Sequence, residues 1–306
     1  MPALTWNGEA GPGCRWPRAL GPGSVLGLFA PAHTFDRREM ERGAAVLKSW
    51  GLEVRIPKGL FRRRGYLAGD DQSRLGLFAE LMEDPEVDGL MAVRGGYGCQ
   101  RLLPFLAGRW RAWPAKPIFG FSDLTALHLA RLAASGVIGF HGPVLVSLGK
   151  SDPRRSADRL SRSDLKKTLL SGKPAGGWTF SERQALRPGR AVGPLLGGNL
   201  TLVTALLASP WRPDFEGAIL MLEEVDEAPY RLDRLLVTLR QSPVWSRAAA
   251  LVLGRFSDCG PKSEIRRLLR EAADDFPGRP VIWGAPFGHL SRNRLFPLGA
   301  LAVLEA

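Results

Sequence analysis

The stretch Lys116-Pro117-Ile118-Phe119-Gly120-Phe121-Ser122-Asp123-Leu124 places a serine where an apolar run ends and a helical pattern begins. A serine on so sharp a strand-to-helix turn projects its hydroxyl above the sheet. The helix N-terminus behind it offers free backbone N–H groups to a developing oxyanion. The chemistry that follows is nucleophilic attack on an acyl carbon. Leu124 stands where the second glycine of G-x-S-x-G would be, and a helix N-cap is the bland role for the same serine. A second run, Val93-Arg94-Gly95-Gly96-Tyr97-Gly98, also follows an apolar segment. Its glycines let backbone N–H groups approach a ligand, as an oxyanion donor beside Ser122 or as a phosphate loop. The dinucleotide fingerprint G-x-G-x-x-G is not met.

A serine hydroxyl needs a base, and the base needs an orienting acid. There are four histidines. His33 follows the first predicted strand, His128 lies two turns into the helix after Ser122, and His141 stands at a strand end. His289 sits in Gly284-Ala285-Pro286-Phe287-Gly288-His289, a Gly/Pro-rich loop from which a side chain can be aimed at a cleft. For the acid, Ile219-Leu220-Met221-Leu222-Glu223-Glu224-Val225 puts carboxylates at the end of a buried-looking strand, where an unpaired charge is costly. The structural alternative is an ion pair with Arg231 or Arg234. Choosing Glu223 and His289 gives the order Ser…Glu…His, one known solution to the same geometry.

These residues require elements that converge. After about residue 22 the chain alternates strand and helix: Ser24–Phe29, a helix capped by Thr34, Leu52–Ile56, a helix starting at Asp70 or Asp71, then strands at 87–93, 116–120 and 137–140. That order predicts an α/β fold with a Rossmann-like, doubly wound parallel sheet, whose strand-end loops gather on one edge. Residues 1–22 read as a loosely attached extension, 23–149 as the Rossmann-like domain and 150–186 as a polar linker. Residues 187–306 read as a smaller C-terminal β-rich α/β domain, with 301–304 as its edge strand.

Composition narrows the function classes. Hydrophobic residues make up 45% and charged residues 24% of the 306, the balance of a soluble globular chain. No apolar run reaches the length of about 18 residues that a membrane helix needs. Arg15 and Arg18 precede the apolar run at 25–32 much as in a leader, but its Gly and Pro fit a buried strand better, so a cytoplasmic protein is expected. Three widely spaced cysteines suit neither a disulfide framework nor a zinc site. The net charge of +12 is concentrated in Arg62-Arg63-Arg64 and in the stretch from Arg154 to Lys167. Neither cluster is interleaved with aromatics, so both read as solvated surface and not as a nucleic-acid site.

The ordered strings VRGGYG, GFSD-x-TALH, LLGGNL, LEEVDEAPYRLDR and PFGH-x-x-x-N-x-x-x-PLG resemble the LD-carboxypeptidase family. That family includes muramoyltetrapeptide carboxypeptidases and microcin C self-immunity peptidases. The resemblance runs from about Ser24 to the C-terminus and implies a metal-independent, cofactor-free serine peptidase with Ser122 as nucleophile, Glu223 as acid and His289 as base. It further implies an oxyanion hole from the N–H of Asp123 and of Gly95 or Gly96. Arg94, Tyr97, Asn199 and Arg231 become candidates for holding substrate. A cytoplasmic homodimer that trims murein tetrapeptides during peptidoglycan recycling is the implied activity. The microcin-type peptidyl-nucleotide peptidase, an unrelated esterase and a non-catalytic Rossmann-like binding module are the alternatives. The chain departs from the family pattern at Ala30-Pro31-Ala32-His33, where many members carry a serine after the proline, and at Glu224, where LEDV is usual.

Overall fold

The computed structural model describes residues 1–306 apart from 153, 172–175 and 277. Its strands, in chain order, are β1 (Ala3–Ala10), β2 (Val25–Phe29), β3 (Glu53–Arg55), β4 (Gly89–Ala92), β5 (Ile118–Gly120), β6 (Gly139–His141), β7 (Gly176–Thr179), β8 (Ala185–Arg187), β9 (Arg190–Asn199), β10 (Ile219–Val225), β11 (Ala250–Ser257), β12 (Val281–Trp283), β13 (Phe296–Leu298) and β14 (Ala300–Glu305). The helices are α1 (Arg37–Ser49), α2 (Asp71–Glu83), α3 (Leu103–Leu106), α4 (Leu124–Ser135), α5 (Leu145–Lys150), α6 (Ser156–Ser171), α7 (Leu200–Leu206), α8 (Pro229–Arg240), α9 (Pro243–Arg247) and α10 (Lys262–Asp274). No helix among the described residues is long and apolar enough to cross a membrane.

The first sheet runs β13-β6-β5-β4-β2-β3, parallel throughout except where β13 pairs antiparallel with β6. Its interior strands β2, β4 and β5 are short and wholly apolar, as β4 (Gly89-Leu90-Met91-Ala92) shows, the pattern of parallel strands buried on both faces, while the edge strand β3 (Glu53-Val54-Arg55) is charged. The strand order reverses between β2 and β4. In a doubly wound sheet, a ligand crevice opens outside the carboxyl ends at such a switch point. The second sheet runs β7-β1-β14-β9-β10-β11-β12-β8, with β9 to β12 parallel.

Three expectations change. Residues 1–22 are not a loose extension: β1 pairs with β14 and β7, and Leu4 and Trp6 are buried while Thr5 is exposed. Strand 300–305 is therefore interior, covered by a partner almost the whole chain away. The expected linker contains α6 and β7, and Leu165 and Leu169, one helical turn apart, are both buried; residues 153 and 172–175 of it lie outside the described residues. The first helix is capped not by Thr34 but by Asp36, whose carboxylate accepts the Glu39 N–H at 2.9 Å, since a charged acceptor suits a helix N-terminus better than a hydroxyl. The second helix begins as read, with Asp70 accepting from Ser73 at 2.7 Å.

Candidate active site

Between β5 and α4 the chain turns through Phe121-Ser122-Asp123. Ser122 has φ +65°, in the left-handed region that strains an L side chain by about 1–2 kcal/mol. Asp123 is buried, and its Oδ2 accepts the Cys99 N–H at 2.8 Å, tying this elbow to the loop after β4. Burial raises the Asp123 carboxyl above its ordinary range. Burial, with Asp123 beside it, pushes the Cys99 thiol well above the usual value, which rules out a reactive thiolate there.

The loop after β4 approaches the serine closely. A Cβ on Gly95 would stand 3.1 Å from Ser122 Cβ and 3.2 Å from its Oγ, so that position borders the nucleophile. At Gly96, φ +114°, the same atom would fall 2.7 Å from the His33 ring. Gly95 therefore faces Ser122, and Gly96 faces His33. Arg94 is exposed, and its Nη1 donates to the Thr34 carbonyl at 3.0 Å. Tyr97 is 46% exposed beside Tyr66, so both expected substrate contacts on this loop lie open to solvent.

The second sheet supplies the other side. Adjacent residues of a strand point to opposite faces, and Glu223 and Glu224 part accordingly. Pairing with β11 slips between Leu222 and Glu224, a bulge at the acid itself. Glu223 is fully buried, with Oε2 2.8 Å from His289 Nδ1. Glu224 accepts from Asn199 Nδ2 at 2.6 Å, from the Thr201 N–H and hydroxyl at 2.8 Å each, and from the Val225 N–H at 2.9 Å. The expected arginine partner is thus replaced by donors at the start of α7. Arg231 is exposed, with Nε on the Tyr230 hydroxyl at 3.1 Å. The expected substrate contact at Asn199 is an internal one in this geometry, because its Oδ1 also caps α7 at the Leu202 N–H.

His289 follows β12. Gly288, φ +106°, is needed there because a Cβ would stand 2.8 Å from Glu223 Oε2. The loop is pinned by Gly288 N–H on Asn293 Oδ1 at 3.1 Å and by Ser257 Oγ donating to the His289 carbonyl at 2.5 Å. Sequence reasoning passed over Asn293 and Ser257 as supports; the Asn of PFGH-x-x-x-N-x-x-x-PLG was the available signal for one of them. His289 Nε2 lies 3.1 Å from Ser122 Oγ. With Nδ1–H donating to Glu223, the Nε2 lone pair faces the hydroxyl, as a base must.

The other histidines lie elsewhere. His128 is buried with Nε2 3.0 Å from the Gly120 carbonyl, and burial lowers its pKa to about 4. His141 is buried among Phe121, Phe287 and Phe296, and burial drives its pKa well below the usual value. His33 stacks near Tyr66. Among the described residues no group of three or more His, Cys, Asp or Glu side chains is placed to hold a metal.

A serine on a strained strand-to-helix turn, linked through histidine to a buried carboxylate, is the arrangement of a serine hydrolase. Residues 26–142 match the model of the LD-carboxypeptidase N-terminal domain, and residues 192–304 match that of its C-terminal domain. The chain belongs to the LD-carboxypeptidase family. A putative carboxypeptidase of Synechocystis sp. is 37% identical, with 94% of each chain covered. The probable murein peptide carboxypeptidase of Bacillus subtilis is 33% identical over 94% of this chain and 91% of its own. Among solved structures, muramoyltetrapeptide carboxypeptidase from Oxalobacter formigenes aligns with a TM-score of 0.77 at 27% identity, covering 92% of this chain and 99% of that one. MccF in complex with glutamyl sulfamoyl guanosine aligns with a TM-score of 0.81 at 25% identity, covering 95% and 98%.

Proposed function

We propose that this chain is a serine carboxypeptidase that cleaves the L,D-peptide bond before the terminal D-alanine of murein tetrapeptides, in peptidoglycan recycling. The observation that carries the reading is the relay from Ser122 Oγ to His289 at 3.1 Å and from His289 to Glu223 at 2.8 Å, in a chain of this family. His289 takes the hydroxyl proton as Ser122 attacks the carbonyl of the residue preceding D-alanine. Glu223 holds the imidazole in the right tautomer and stabilises the imidazolium that forms. The N–H of Asp123 and the Gly95-Gly96 backbone receive the oxyanion, each such donor contributing about 2.7–4 kcal/mol. His289 returns the proton to the leaving amine, D-alanine departs, and water hydrolyses the acyl-enzyme by the reverse proton path.

The murein substrate is favoured over a peptidyl nucleotide by one observation. Trp178, the first aromatic after Lys150, is buried against Phe287 and Trp6 and offers no face to a base. The family resemblance supports a homodimer acting in the cytoplasm on a small muropeptide, with no cofactor. Mass spectrometry of a murein tetrapeptide incubated with the pure protein, beside Ser122→Ala, tests the reading. Loss of one D-alanine with the wild type alone is expected. No release by folded wild type from any muropeptide would overturn it.

A further inference from the structure

A carboxypeptidase differs from an endopeptidase in having to bind the free carboxylate of the residue it releases. That carboxylate needs a cation which no internal acid already neutralises. A small cavity of about 230 Å³ meets the requirement, and it abuts the relay on both sides: Phe121 precedes the nucleophile and Leu290 follows the base. Its outer wall is formed by Ser151, Arg155 and Arg162, where α5 gives way to α6.

The charges in this wall are unevenly paired. Arg162 donates to Ser151 Oγ at 2.6 Å and to the Ser151 and Leu148 carbonyls at 3.0 and 3.1 Å, so neutral groups hold its charge in place without cancelling it. Arg155 is exposed, and its side chain makes no hydrogen bond or ion pair among the described residues. Lys150 is paired with Glu39 at 3.2 Å. Asp158, the acid in the lining, accepts the Asp152 N–H at 2.9 Å and stands in the first turn of α6, where the helix dipole offsets it. The wall is also fixed to the base: Ser161 Oγ donates to the Ser291 carbonyl at 3.2 Å and Arg294 pairs with Asp164.

We propose that this cavity is the pocket of the released residue and that Arg155, with Arg162 as a fixed second charge, receives its terminal carboxylate. The ligand class is a small C-terminal amino acid with a free α-carboxylate. The inference rests on the carboxypeptidase reading above. It also gives a role to part of the basic stretch from Arg154 to Lys167.

The test is steady-state hydrolysis of the tetrapeptide as free acid and as C-terminal amide by wild type, Arg155→Gln and Arg155→Lys. Wild type prefers the acid, and in Arg155→Gln the acid-to-amide ratio of kcat/KM falls about 10- to 100-fold, mainly through KM, as loss of a charge-assisted hydrogen bond implies. Arg155→Lys restores part of the ratio, because the charge returns without the planar fork. A ratio unchanged in Arg155→Gln, or equal losses on both substrates, would overturn the pocket while leaving the carboxypeptidase reading intact. Failure of the wild type to release D-alanine from the acid would remove both. Arg155 is exposed, so its variants should fold as the wild type does, and a melting curve of each checks this.

Discussion

The two sides of the cleft position their residues by different physics. On the β4–β5 side, Ser122 is aimed by strain: its φ of +65° is held by β5 behind it, α4 ahead and the Asp123–Cys99 bond beside it. On the β10–β12 side, Glu223 is aimed by burial in an extended strand and His289 by a glycine-preceded loop. Strain turns the Ser122 hydroxyl out of the bend and toward His289. Burial fixes a charge whose single partner must then come to it. The contrast accounts for a turn residue as the proposed nucleophile and a strand residue as the proposed acid.

The comparison is broken most forcefully at the nucleophile. Ser122→Ala should cost about 10⁶-fold in kcat, as removing a triad nucleophile does. Ser122→Gly should be equally inactive yet more stable by about 1 kcal/mol in urea denaturation, because glycine adopts positive φ freely. A glycine variant less stable than wild type would refute the strain argument. Next comes Glu223→Gln, expected to lose about 10⁴-fold in kcat through the wrong histidine tautomer, with little change in KM. A loss confined to KM would remove Glu223 from the relay.

Smaller effects sharpen the contrast. Gly288→Ala pushes a methyl against Glu223 and should displace His289 enough to cost about 10²-fold in kcat/KM, with folding retained. The last concerns pH. His128, bonded to the strand that precedes the elbow, has its pKa lowered to about 4 by burial. A base with a depressed folded pKa contributes stability that is present above its unfolded value near 6.5 and lost as pH falls toward 4. Denaturation midpoints should therefore drop between pH 6.5 and 4, with His141 adding in the same direction. A drop no smaller in His128→Gln than in the wild type would show that His128 is not its source.

Much of this was legible in the sequence because it is local. The Gly-x-Ser turn, the glycine loop, the cap at Asp70 and the alternation of strand and helix each depend on neighbours within a few residues. What escaped depends on distant partners. Leu4 and Trp6 alternate with Thr5 as a strand should, but Gly and Pro soon follow, and the strand that makes them useful begins at Ala300. The segment 156–171 looked like a linker because its inward face is partly polar. Ser161 and Asp164 meet the loop after His289, and only Leu165 and Leu169 announce a core. Asn199 belonged to a motif, yet its donors were needed by the neighbouring Glu224, a demand that no spacing rule displays.

The pairing of β1 with β14 has a consequence for synthesis. Ala3–Ala10 is separated from its partner Ala300–Glu305 by the synthesis of residues 11–299. At about 5–20 residues per second, the early strand waits on the order of 15–60 s for that partner. Until then β1 can pair only with β7, and nothing joins that pair to β9 and the rest of the second sheet. The strands around Ser122 can assemble long before this, but the sheet that carries Glu223 is joined to β1 only once Ala300–Glu305 has been made.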